Sequence, residues 1–204
     1  MSLFKRLFGK KEHPAPIPGG TMIVATLNDR ILPIDRGELY EDPVDEMLQA
    51  GGLGEVNGGG TMTSELGEIT GCDVDIHIFA DEANPVLLQK IIQLLESKGA
   101  PKGSRLWIAK TKQEFKIGKR EGLALYLDGR NLPAETYQTC DSNYVLAEVK
   151  RLTGDESDVL RYWQGPAETA FYVYGESFEA MKRAIQGLVD TYPLCKGARI
   201  VQIA

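Results

Sequence analysis

The chain is short of the residues that most catalytic and metal chemistry needs. Its 204 residues hold two histidines, His13 and His77, and three cysteines, Cys72, Cys140 and Cys195. The cysteines are odd in number and far apart, with no Cys-x-x-Cys. That argues against a disulfide scaffold or structural zinc site and suits a reducing cytoplasm. No apolar run approaches the ~18 residues of a membrane span. Positive charge is not in surplus: 23 Lys and Arg stand against 29 Asp and Glu, a net charge of −6. Free nucleic acid is therefore not an expected partner. No Gly-x-x-x-x-Gly-Lys-Ser/Thr and no strand–Gly-x-Gly-x-x-Gly–helix occurs, so phosphate loops of those kinds are not expected. No nucleophile elbow accompanies His77.

What is there is ordinary globular composition, 43% hydrophobic and 25% charged, enough for a core. Residues 1–20 read as a tail and linker. Leu3, Phe4, Leu7 and Phe8 fall at helical spacing among Lys5, Arg6, Lys10 and Lys11. Residues 3–11 would make a weak peripheral contact with an anionic membrane, or fray as a tail. Pro14, Pro16, Pro18, Gly19 and Gly20 follow as a linker.

The rest of the chain echoes itself. LNDRILP begins at Leu27 and LDGRNLP at Leu127. Lys-Gly-Ser-Arg at Lys102 and Lys-Gly-Ala-Arg at Lys196 each precede an apolar run. Two matches in the same order argue for duplication. Hydrophobic periodicity gives both halves one element order. In the first half, strand 22–27 leads to a helix opened by Asp42-Pro43. Strands 55–62 and 72–79 follow, then a helix capped by Asp81 or Asn84 and strand 104–109. In the second half, strand 123–127 leads to a helix from Ser142 or Asn143. Strands 159–163 and 169–174 follow, then a helix capped by Ser177 and strand 199–203. The expected units are half 1 at 21–110, a linker at 111–121, and half 2 at 122–204.

This β-α-β-β-α-β order resembles the ferredoxin-like superfold over residues 22–204. The resemblance implies an α+β protein of two fused halves, with antiparallel sheets and helices on one face of each. The stretch GLGEVNGGGT…CDVDI is also similar to a segment of bacterial proteins with no assigned activity. Neither resemblance implies a function.

Gly58, Gly59 and Gly60 fall in the second strand, where glycine marks a bulge or a close backbone approach, by the other half or by a ligand. Behind them Val74, Ile76 and Ile78 alternate with Asp73, Asp75 and His77. The polar set should lie on the sheet face away from the helices, solvated. Asp73, Asp75 and His77 are the weak candidates for a metal; their spacing matches no metal motif. Cys72 should point away from His77. Arg30 and Arg130 recur after the first strand of each half, as paired anion sites or as loop geometry. Tyr172 and Tyr174 should share a face, opposite Phe171 and Val173. Such rings would cover a sheet, in this chain or in a second copy, making a homodimer one expected form.

These readings point to a non-catalytic, cytoplasmic binding or regulatory protein without a cofactor. A small molecule or protein would sit on the open sheet faces or between the halves, with Gly58, Gly59, Gly60, Arg30, Arg130 and His77 as candidate ligand residues. The alternative is an enzyme using His77 with Asp73 or Asp75.

Overall fold

A computed structural model describes residues 19–204; residues 3–11, the expected membrane contact, lie outside them. The fold is α+β, with two antiparallel sheets and helices. Among the described residues nine strands enter the sheets: β1 (Thr21–Leu27), β2 (Gly54–Thr63), β3 (Ile69–Ile78), β4 (Ser104–Ile108), β5 (Glu114–Ile117), β6 (Glu121–Asp128), β7 (Tyr162–Gln164), β8 (Glu168–Gly175) and β9 (Arg199–Gln202). The first sheet runs β2-β3-β1-β4-β5 and the second β7-β8-β6-β9. Within the segment expected as a linker, residues 114–117 form β5 and extend the first sheet beside β4.

Helices cover one face of each sheet. In the first half they are α1 (Pro33–Arg36), α2 (Asp42–Ala50) and α3 (Pro85–Ser97); in the second, α4 (Ala134–Thr139), α5 (Ser142–Thr153) and α6 (Phe178–Thr191). Strand alternation sorts the side chains. Ile23, Ala25 and Leu27 join Cys72, Val74, Ile76 and Ile78 in the core under Val44, Leu48, Leu88, Ile91 and Leu95. In the second half Leu123, Leu125, Phe171 and Val173 pack against Val145, Val149, Met181 and Ile185. Each methylene removed from water there contributes about 0.8 kcal/mol.

Helix starts follow capping chemistry. Asn84 accepts from the Val86 N–H at 2.8 Å, with Pro85 next. Ser177 accepts from the Ala180 N–H at 3.3 Å. The cap of α5 is Asp141, which accepts from Asn143 at 2.8 Å, rather than Ser142 or Asn143 themselves. The Asp42-Pro43 pair does not start a helix. The chain is helical from Pro33, and α2 continues that run. Pro43 has no N–H for the carbonyl four residues back. One π turn, Gly37–Glu41, precedes it, and the Asp42 N–H reaches the Gly37 carbonyl. A local widening of this kind absorbs what a proline would otherwise break.

The strand expected at 159–163 is shorter and later. Tyr162–Gln164 forms the strand against β8, and the Arg161 carbonyl accepts from the Tyr172 N–H at 3.0 Å. Arg161 stands just ahead of it, its side chain drawn to the other half of the molecule.

Candidate functional site

The two halves meet where the chain leaves β1. Asn28, Asp29 and Arg30 lie against the face of the second sheet that carries no helices. The Tyr174 hydroxyl donates to the Asn28 carbonyl at 3.2 Å and accepts from the Arg30 N–H at 3.0 Å. The Asn28 amide donates to the Lys102 and Ile203 carbonyls, each at 2.9 Å. That face carries Ala124, Tyr126, Ala170 and Tyr172, with Trp163 and Tyr174 beside them. The Tyr126, Tyr172 and Tyr174 rings therefore cover the first half of this same chain.

Two ionic clusters hold the junction. In the first, Arg161 grips Asp29 with both arms: Nε to Oδ1 at 2.7 Å and Nη2 to Oδ2 at 2.9 Å. The Asp29 side chain is 0% exposed and that of Arg161 8%. Tyr40 donates to Asp29 Oδ2 at 2.8 Å. Burial alone would disfavour the guanidinium charge, but Asp29 outweighs it, and the Arg161 pKa is raised. Burial, then the Asp29 charge, pushes the Tyr40 hydroxyl well above its usual pKa. In the second cluster one oxygen of Glu68 accepts from Tyr126 at 2.6 Å, from Tyr172 at 2.8 Å and from Arg30. Arg30 also lies over the Tyr172 ring, 4.9 Å from its centre. Burial and the bond to Glu68 raise the Tyr172 pKa.

The connection between the halves is also held. Lys102 binds Glu121 at 2.7 Å, and Glu121 accepts from the Phe178 N–H at 2.6 Å at the start of α6. These two contacts lower the Glu121 pKa, that with Lys102 the more.

Beside the Asp29–Arg161 pair lies a cavity of about 270 Å³ with contributions from both halves. Leu39, Lys98 and Gly99 come from the first half and Gly154, Asp155, Glu156, Ser157, Arg161 and Tyr174 from the second, with Arg120 from the connection.

The expected site residues do not gather here. Arg30 is built into the junction. Arg130 stays in an exposed turn and donates from Nε to the Pro166 carbonyl at 2.6 Å. The repeated arginines thus have different surroundings. Gly58 has φ of 106°, at a register shift between Val56 and Gly59 in edge strand β2. The glycines do mark a bulge, but the backbone approach comes from within the first half. A Cβ at Gly59 would run into the Asp73 carbonyl, with the Glu41 carboxylate 3.1 Å away. Glu41 is held there by Arg36 at 2.5 Å, and Arg36 donates to Thr61 at 3.0 Å. Gly60 pairs with Asp73 across β2 and β3.

Asp73, Asp75 and His77 lie opposite the helix-facing set, with Cys72 in the core as alternation required. Their solvation was misjudged: Asp73 is 4% and His77 8% exposed, and Asp75 is half-buried. His77 is closed in by the chain at Gly19 and Gly20, where a Cβ on Gly20 would run into the ring. His77 pairs with Met22 and Asp75 with Val24, both buried apolar residues. The His77 ring contacts the Gly19 carbonyl at 3.1 Å, the Glu55 carboxylate at 3.7 Å and the Phe79 ring. Among the described residues no group of three His, Cys, Asp or Glu side chains is placed to hold a metal ion.

Sequence reasoning passed over Asp29, Tyr40, Glu68 and Arg161. One signal was present for Asp29: the repeat puts Gly129 in its place.

No family model matches the chain, and no curated protein matches it. Among solved structures, a crystal structure described as a "putative monooxygenase from Lactobacillus acidophilus NCFM" aligns with 91% of this chain and 95% of its own. Identity is 11% and the TM-score 0.28. Likeness at that level carries no argument about activity. Among the described residues, no helix is long and apolar enough to cross a membrane.

Proposed function

We propose that this is a non-catalytic small-molecule-binding protein whose ligand occupies the junction cavity. The observation that carries the reading is the cavity's composition: both halves supply polar side chains to it, beside a buried ion pair. A ligand there would alter how firmly the halves hold each other, which is how a binding protein signals occupancy. The acids and hydroxyls nearby already bond one another: Asp29 with Arg161 and Tyr40, Glu68 with Arg30, Tyr126 and Tyr172. Such groups make a scaffold rather than a poised base or nucleophile. His77, Asp73 and Asp75, the alternative catalytic set, do not line this cavity.

The same reading takes the chain as two fused ferredoxin-like units in the cytoplasm, at residues 21–110 and 122–204. Its support is the matched strand order, β2-β3-β1-β4 against β7-β8-β6-β9. The Lys-Gly-x-Arg repeats agree, with Gly103 and Gly197 at φ of 83° and 76° just before β4 and β9.

The test is a thermal-shift screen of the full chain with small polar metabolites. A ligand at a hundred times its Kd stabilises by about 2.7 kcal/mol. The expected result is a raised midpoint that Glu156→Trp abolishes by filling the cavity from an exposed position. If a stabilising ligand keeps its effect in that variant, the site lies elsewhere.

A further inference from the structure

Around the cavity stand charges that remain apart. Lys98, just past the end of α3, and Arg120, in the connection, bring positive charge. Asp155 and Glu156, following α5, bring negative charge. Among the described residues none of the four makes an ion pair. Elsewhere oppositely charged neighbours close on each other, as Lys119 does with Glu96 at 2.6 Å and Lys102 with Glu121 at 2.7 Å. Here a cavity lies among them.

The lining adds direction. Arg161 is 7% exposed. Its Nε and Nη2 are committed to Asp29, while among the described residues Nη1 reaches only Ser157 Oγ, at 3.4 Å. Such a long contact leaves a buried donor with capacity for a better acceptor. Two helices also end here, α3 at Ser97–Gly99 and α5 at Gly154. The α5 end, next to Asp155 and Glu156, carries partial negative charge and favours a cation.

We propose that the cavity binds a small zwitterion, an amino-acid-sized molecule with one carboxylate and one ammonium. This rests on the reading of the junction cavity as the ligand site. Arg120, Lys98 and the Nη1 of Arg161 receive the carboxylate. Glu156 and Asp155, whose Oδ1 also accepts from the Ser157 N–H at 3.0 Å, receive the ammonium beside the end of α5. A dicarboxylate would set its second charge against Asp155 and Glu156. A neutral sugar would leave both sets of charges uncompensated. At about 270 Å³ the space falls just below the ~300–1,000 Å³ usual for drug-sized ligands, a size that suits an amino-acid-sized molecule.

The experiment uses the purified full chain in thermal-shift and calorimetric titrations. The probes are the L-α-amino acids singly, propionate and butyrate, butylamine, succinate, ribose and inorganic phosphate. The expected result is that at least one amino acid raises the midpoint, while the probes carrying only one of its charges bind at least tenfold more weakly. Arg120→Ala and Glu156→Gln, both at exposed positions, should each weaken that amino acid about tenfold or more, since each removes a charged hydrogen-bond partner. Stabilisation by succinate, ribose or phosphate alone, lost in Glu156→Trp, would overturn the zwitterion and leave the cavity as the ligand site. Amino-acid binding indifferent to Arg120→Ala and Glu156→Gln would overturn the placement. No shift with any probe would overturn both the ligand class and the binding function.

Discussion

The loops after β1 and β6 share a sequence pattern and have opposite fates. In the first, Asp29 is sealed under Arg161 and Tyr40, and Arg30 reaches Glu68 and two tyrosines. In the second, Gly129 occupies the place of Asp29, and Arg130 lies on the surface against the Pro166 carbonyl. The turn itself is tied down differently too. Asp128 accepts from the N–H groups of Arg130 and Asn131 at 2.8 and 2.9 Å. Asn28 instead sends its amide across the junction. A repeated motif thus leads from a strand to a helix in both halves while its side chains answer to different surroundings. Recurrence of Arg-x-Leu-Pro marks where a strand gives way to a helix and leaves open what the arginine touches.

The comparison breaks most sharply at Asp29. Asp29→Ala would leave Arg161 charged and buried without its partner. We expect a loss of about 3–5 kcal/mol in denaturant unfolding, the cost of orphaning one member of a buried pair. Adding Arg161→Met should recover much of that loss, because the desolvated charge then goes as well. A single mutant within 1 kcal/mol of wild type would show that the junction does not rest on this pair.

Glu68 comes next. Glu68→Gln keeps the shape but removes the charge that Arg30, Tyr126 and Tyr172 all address. Charged hydrogen bonds contribute about 1.5–3 kcal/mol, and a loss in that range is expected. Gly59→Val should cost about 1–3 kcal/mol by overpacking against the Asp73 carbonyl and Glu41. An unchanged midpoint in the valine variant would mean that the bulge yields freely and the bare backbone serves another purpose.

Alkaline pH tests the junction without mutation. Burial, followed by hydrogen bonding or nearby negative charge, raises the pKa of Tyr40, Tyr126, Tyr172 and Tyr174. Unfolded, they ionise near pH about 10. Above that the unfolded chain binds fewer protons than the folded one, so stability falls as pH rises. Their contribution should be intact below pH about 10 and decline beyond it. Each unit of raised pKa corresponds to about 1.36 kcal/mol. A midpoint flat from pH 9 to 11 would contradict the protonated network.

Much of the framework was legible in the chain because its signals are local. Alternation placed Val74, Ile76 and Ile78 inward and Cys72 opposite His77. Asn84 and Ser177 announced helix starts through their own side chains. The glycines announced a bulge. The junction was not legible, because its key pair lies 132 residues apart in sequence. Nothing around Asp29 or Arg161 shows that folding brings them together. The same gap misled the reading of His77. A strand's own alternation gives the face of a side chain, while whatever packs over it, at His77 the chain at Gly19 and Gly20, decides how wet that face is. Proline at 43 misled in another way: as a start signal it is sound, but here the preceding residues were already helical and one π turn absorbed it.

The smallest expected effect separates the repeated arginines themselves. Arg130→Ala removes one exposed contact, from Nε to the Pro166 carbonyl. Exposed contacts of this kind change stability by no more than about 0.5 kcal/mol. Arg30→Ala removes a half-buried cation that neutralises Glu68 and lies over Tyr172. It should cost more, in the direction of Glu68→Gln, and the two losses should not add, since both break one network. A double-mutant cycle between Arg30→Ala and Glu68→Gln reads that coupling directly. Equal, small losses for Arg30→Ala and Arg130→Ala, with no coupling to Glu68, would erase the distinction between the loops.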